Sequence, residues 1–186
     1  MNLVHPNASL ETESVCPITG LPVVSRPEWT NRTFGGAFRL TTRVIGDRII
    51  FNRPSGEPDL QDIIGSIDLI DEVMRDHIDT SAGCVSIADY SGMRGISHDA
   101  RKYYIRYMER QASMLGYVYF NVNTHFRIII KLAKRLSTAR INAQIAEDYR
   151  AAITECLHLI RGGEARSFSG RTARNQAGGL TPSDRS

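Results

Sequence analysis

The side chains able to do acid–base, nucleophilic or metal chemistry are widely scattered in this sequence. Of the five histidines (His5, His77, His98, His125, His158) no two stand at a metal-motif spacing. The three cysteines, Cys16, Cys84 and Cys156, form no CxxC pair. A structural zinc site, which takes four ligands, therefore lacks a recognisable donor set. An odd count at wide spacing argues equally against a disulfide framework. Cys84 and Cys156 fall on apolar faces and read as small core residues. Cys16 precedes Pro17, a dipeptide of the kind that supplies haem thiolates, and is a weak thiolate candidate. No Ser/His/Asp or Cys/His set stands at motif spacing. The expectation is a chain that is not an enzyme and carries neither metal nor cofactor.

Two residues have sharper readings. Ser97 precedes a helical pattern, where its hydroxyl would accept a bond from a backbone N–H two or three residues on. The same position suits a regulatory phosphate, since the amides and dipole of a helix N-terminus favour an anion. Arg94 and Arg101 lie nearby in sequence to pair with it. The two roles are compatible. Asp89 ends a buried, strand-like run, Cys84-Val85-Ser86-Ile87-Ala88, at the edge where α/β sheets place ligand crevices. It reads first as a turn residue holding the loop 89–97, and second as a partner contact. Gly92 and Gly95 suit a tight loop path, but without GxGxxG or a Walker lysine they do not make a phosphate cradle.

These candidates need elements to hold them. Residues 1–35 contain Pro6, Pro17, Pro22 and Pro27 and read as an extended arm or irregular cap, with the only tryptophan, Trp29, pinning it to the domain. Residues 38–45 and 48–52, separated by Gly46-Asp47, signal a hairpin. Leu60, Ile63, Ile64, Ile67, Ile70, Val73, Met74 and Ile78 keep helical spacing, with aspartates on the other faces. The strand ending at Asp89 follows. The helix opened by Ser97 carries Tyr103, Tyr104, Tyr107 and Met114 and is expected to end at Gly116. The next strand is 117–122. Thr124 is the expected cap of a helix with Phe126, Ile129 and Ile130 inward. A short strand over 140–145 precedes a last helix, 146–161, stopped by Gly162-Gly163. The order is ββαβαβαβα, an α/β fold with a mixed sheet and helices packed against it. The domain spans 36–161, between the arm and a Gly/Ser/Arg-rich tail, 162–186, expected to be disordered.

Two stretches in this order resemble the STAS family, which includes bacterial anti-sigma-factor antagonists and the cytoplasmic domains of sulfate transporters. Ser55-Gly56-Glu57-Pro58-Asp59, between hairpin and long helix, is similar to the family's Gly-Glu-Leu-Asp step. Val85-Ser86-Ile87-Ala88-Asp89-Tyr90-Ser91-Gly92-Met93 is similar to its strand and Asp-Leu-Ser-Gly-Val segment. The family's phosphorylated Asp-Ser-Ser-Gly falls here on Ser97-His98-Asp99-Ala100, which puts His98 at the acceptor position unless the register moves by one to Ser97. The resemblance implies a cytoplasmic signal-transduction module that binds a regulatory protein (a kinase, anti-sigma factor or sensor) through Asp89, Ser91, Gly92, Arg94, Ser97, His98 and Arg101, with phosphorylation near Ser97.

Composition sets the rival readings. A chain of 186 residues, 41% hydrophobic and 23% charged, has globular rather than disordered character. Five arginines against two acids in 161–186 account for the whole formal charge of +3, so the folded part is not a basic nucleic-acid binder. Nucleic-acid binding would have to use the tail and the basic helix face of Arg127, Lys131, Lys134 and Arg135. A small-ligand or haem-sensing input domain, using the Asp89 crevice or the Cys16 arm, is the other rival. No apolar run approaches the roughly 18 residues of a membrane helix.

Overall fold

The computed structural model describes residues 12–136 and 141–177. Three short strands open the described chain: β1 (Thr12–Val15), β2 (Pro22–Ser25) and, after one 3-10 turn at Pro27–Trp29, β3 (Arg32–Thr33). The expected hairpin follows as β4 (Arg39–Ile45) and β5 (Ile49–Gly56), paired from Arg39↔Ser55 to Ile45↔Ile49. Then come α1 (Leu60–His77), β6 (Cys84–Asp89), a two-residue β7 (Gly92–Met93), α2 (His98–Arg110), β8 (Met114–Phe120), α3 (Thr124–Leu136), β9 (Ala143–Ile145) and α4 (Tyr149–Ala177). From β4 onward this is the ββαβαβαβα order read from periodicity, with β7 added.

The strands form one mixed sheet in the order β1-β2-β4-β5-β6-β8-β9, with β3 beside β4 and β7 beside β5. β1, β2, β4 and β5 pair antiparallel, whereas β5, β6, β8 and β9 pair parallel. Each parallel step moves in the same direction across the sheet. Right-handed crossovers therefore put α1, α2 and α3 on one face. Ile63 and Ile67 of α1, Ala100 and Tyr107 of α2, and Phe126 and Ile130 of α3 pack there against Leu40, Ala88, Tyr117 and Tyr119. The alternate residues, Ile45, Ile49, Phe51, Val85, Ile87, Val118 and Phe120, face the other way and meet α4 through Ala152, Ile153, Cys156 and Leu159. One helix cannot cover a seven-strand face, and α4 lies over β6 and β8. The β4–β5 part of that face is only partly closed by the N-terminal strands.

Residues 12–33 are not the extended arm or irregular cap expected from their prolines but carry three short strands that join the sheet. Their prolines sit where a missing N–H is tolerated: Pro22 is the first residue of β2, and Pro27 opens the 3-10 turn. Trp29 is 3% exposed, edge-on to His77 of α1 and under the Arg26 guanidinium at 4.9 Å, so it pins this segment as expected. Residues 1–11 of the expected arm lie outside the described residues.

Other boundaries shift for identifiable reasons. Gly116 does not end α2 but sits inside β8, where a Cβ would stand 2.7 Å from Leu159. Met114 accordingly opens a strand. The cap of α3 is Asn123, whose Oδ1 accepts from the Phe126 N–H at 3.0 Å, rather than Thr124. The last helix starts later, at Tyr149 behind an Asp148 cap, and it runs through Gly162-Gly163 to Ala177. Glycine costs a helix only about 1 kcal/mol, and Gly163 is buried against Leu115, which would meet a Cβ at 2.8 Å. Residues 178–186 of the expected tail, and 137–140 before β9, lie outside the described residues.

Candidate functional site

The two stretches that carry the family resemblance meet in space. Gly92 and Met93 pair in parallel with Ser55 and Gly56. The Arg94 N–H donates to the Gly56 carbonyl at 2.9 Å, and the Ser97 N–H to Pro58 at 3.1 Å. Bare glycines make this stitching close: a Cβ on Gly92 would lie 2.9 Å from Ser55, and one on Gly95 2.8 Å from Glu57. The loop 89–97 is therefore a fixed ledge across the carboxyl end of the sheet.

Asp89 anchors that ledge. Only 3% exposed, it accepts from the Ser91 N–H and Asn121 Nδ2 on Oδ1, and from Arg53 Nε on Oδ2, each at 3.0 Å. Burial pushes its pKa up, but the bonds from Asn121 and Ser91 and the charge of Arg53 outweigh this and hold the carboxyl below the usual range. The turn role expected of Asp89 is present. Ser91 is exposed, as are Arg94 and His98. Ser97 is the N-cap of α2, with Oγ accepting from the Ala100 N–H at 3.4 Å. Arg101 bonds His98 Nδ1 at 3.1 Å.

Beyond the ledge, Tyr90 stacks edge-on against Tyr119 and Phe126 at centroid distances of 5.0 and 5.3 Å. Burial raises the Tyr90, Tyr104 and Tyr119 phenols, keeping them neutral. Outside this cluster, α2 and α3 bound a groove of about 270 Å³ lined by Arg101, Lys102, Ile105, Ile129 and Leu132 among others. Ile128 and Leu132 of α3 are 56% and 48% exposed. Of the basic residues on α3, Arg127 Nε is tied to the Val122 carbonyl and Lys134 Nζ to that of Ala143, and the four basic residues are exposed as expected.

The opposite face holds a second cavity, an open cleft of about 480 Å³ between β1–β2 and the start of α4. It brings together Cys16, Asp89, Arg43, Arg53, Asn121 and Tyr149, which sequence spacing could not connect. Asn121 adopts φ 53°, a left-handed conformation that asparagine tolerates, and this turns its amide back toward Asp89. Strand-ending Asn121 followed by the cap Asn123 was the signal available for it. Cys16 Sγ lies 3.6 Å from the Tyr149 hydroxyl. Burial raises this thiol, but bonds from the Thr19 side chain, the Ile18 and Thr19 backbone and Tyr149 together leave it below the ordinary value. Burial raises Cys84, and it pushes Cys156 up to about 12. Cys16 is only 1% exposed but lines the open cleft, whereas Cys84 and Cys156 are 0% exposed, so iodoacetamide at neutral pH should label Cys16 before the other two, by peptide mass spectrometry, with Thr19→Val slowing it.

Among the described residues no group of three or more His, Cys, Asp and Glu side chains is placed to hold a metal, and no helix is long and apolar enough to cross a membrane. No family model and no curated protein matches the chain. Among solved structures it is similar to an uncharacterized protein of the DUF3478 family, described as having a SpoIIAA-like fold, from Shewanella loihica PV-4. The two are 13% identical with a TM-score of 0.49, over 64% of this chain and 93% of that one.

Proposed function

We propose that this chain is a non-catalytic regulatory module that binds a partner protein along the α2–α3 groove, next to the ledge 89–97. The supporting observation is the exposure of Ile128 and Leu132 on a helix whose apolar inner face is already packed. Apolar side chains beside a groove suit a partner helix. Charge specifies its chemistry: α2 and α3 together carry eight lysines and arginines against Asp99 and Glu109. The occupant is an amphipathic helix of a regulator, such as a kinase, anti-sigma factor or sensor, with acidic residues flanking its apolar stripe. Ser97 is the control point, because a phosphate there would add negative charge at the α2 N-terminus beside Arg101 and change the field seen by an acidic partner.

Leu132→Glu, on an exposed position, leaves folding intact but places a charge in the groove. Proteins retained by the tagged wild type, and cross-linked to Lys131 or Lys134, should be lost with Leu132→Glu and weakened by Ser97→Glu. Retention of the same proteins by all three forms, or cross-links confined to other surfaces, would remove the reading.

A further inference from the structure

The cleft on the α4 face has the make-up of a small-molecule site, and nothing in the partner-binding reading uses it. Its volume, about 480 Å³, falls within the few hundred to about 1,000 Å³ typical of ligand pockets. Its floor is aromatic. Phe51, Phe120 and Tyr149 lie with ring centroids 5.7–6.4 Å apart, and Val15, 65% exposed, adds to the apolar lining. It lies over β4 and the middle of β5, beside the carboxyl ends of β6 and β8, where α4 leaves the sheet bare.

The polar groups define the charge of a ligand. Arg53 is engaged by Asp89. Arg43, directly opposite Phe51 in the β4–β5 register and on the same face, makes no hydrogen bond or ion pair among the described residues. An arginine fork over an aromatic floor is suited to a planar carboxylate. One guanidinium with no acidic partner among the described residues, beside the mutually neutralised Arg53–Asp89 pair, fits a monoanion. We infer that this cleft binds a small organic carboxylate with a flat aromatic body, its carboxylate on Arg43 and its ring on Phe51, Phe120 and Tyr149.

The probe is 2-naphthoate, titrated into the ¹⁵N-labelled full chain and followed by NMR. Saturable shifts should appear at Arg43, Phe51, Asn121 and Tyr149, and iodoacetamide labelling of Cys16 should slow as the cleft fills. Arg43→Gln, at an exposed position that folding does not depend on, should weaken binding at least about tenfold, as should replacing the probe by neutral 2-naphthamide. Three results would each overturn the assignment: no saturable shift up to about 5 mM, a strength at which even weak site binding registers; equal affinity for acid and amide; or shifts confined to α2 and α3. The last would place the probe in the partner groove and leave the proposal for that groove standing.

Discussion

Asp89→Ala is expected to lower the folding stability by about 2 kcal/mol at neutral pH, through the loss of three charge-assisted hydrogen bonds whose partners regain water only in part. The carboxylate is 3% exposed, so its own ionisation is sustained by Ser91, Asn121 and Arg53 rather than by solvent. Arg53 contributes least, because its side chain is 57% exposed and water screens the pair. The larger share belongs to the Ser91 amide, which fixes the first turn of the ledge, and to Asn121, which ties the end of β8 to the end of β6. The pH dependence follows in sign. The folded pKa lies below the usual aspartate value of 3.8, so the contribution is complete above that value and is lost as pH falls through the lower folded one. Urea melts of wild type and Asp89→Ala should thus differ by a constant amount from pH 5 to pH 7, and the curves should converge in strong acid. A gap that persists at low pH would mean that the side chain acts by packing alone.

The same residue shows what the sequence makes legible. A run of five apolar or small residues followed by Asp could be read as a buried strand with a polar turn behind it, and all six residues of β6 are buried. Likewise α1 was legible because its apolar spacing holds for the whole helix, and Asp59 and Asp62 close a reciprocal cap at its start. Asp62 itself was expected on an outer face, yet it is 3% exposed because that cap draws it in. The partners of Asp89 were not legible. Arg53 reaches it across the β5–β6 pairing, and Asn121 from the end of β8 by a left-handed turn, so both depend on strand register, which a single sequence leaves open. Cys16 joins the Asp89 neighbourhood only because β1 and β2 extend the sheet at its β4 edge, and the prolines that concealed those strands occupy strand and turn starts.

Glycines were the other ambiguous signal, since one residue type marks both a helix stop and a close approach. Gly116 and Gly163 read as stops and are approaches. Gly116→Val is expected to cost about 3 kcal/mol, at the upper end of overpacking penalties. The added atoms would begin 2.7 Å from Leu159 Cδ1 and 3.2 Å from the Asn142 side-chain amide and carbonyl. Leu159 can turn aside, but Asn142 cannot, because its carbonyl accepts from the Tyr117 N–H and its amide donates to Leu115. Leu159→Ala in the Gly116→Val background should therefore restore only part of the loss, a coupling that a double-mutant cycle in urea would measure. Gly162→Ala supplies the opposite sign about one turn further along the same helix, outside the interface. It has nothing within 4 Å and lies inside α4, so alanine there should add up to about 1 kcal/mol by favouring the helix. If Gly162→Ala were destabilising, α4 would end near residue 161; if Gly116→Val were neutral, α4 would not be seated on β8 as described.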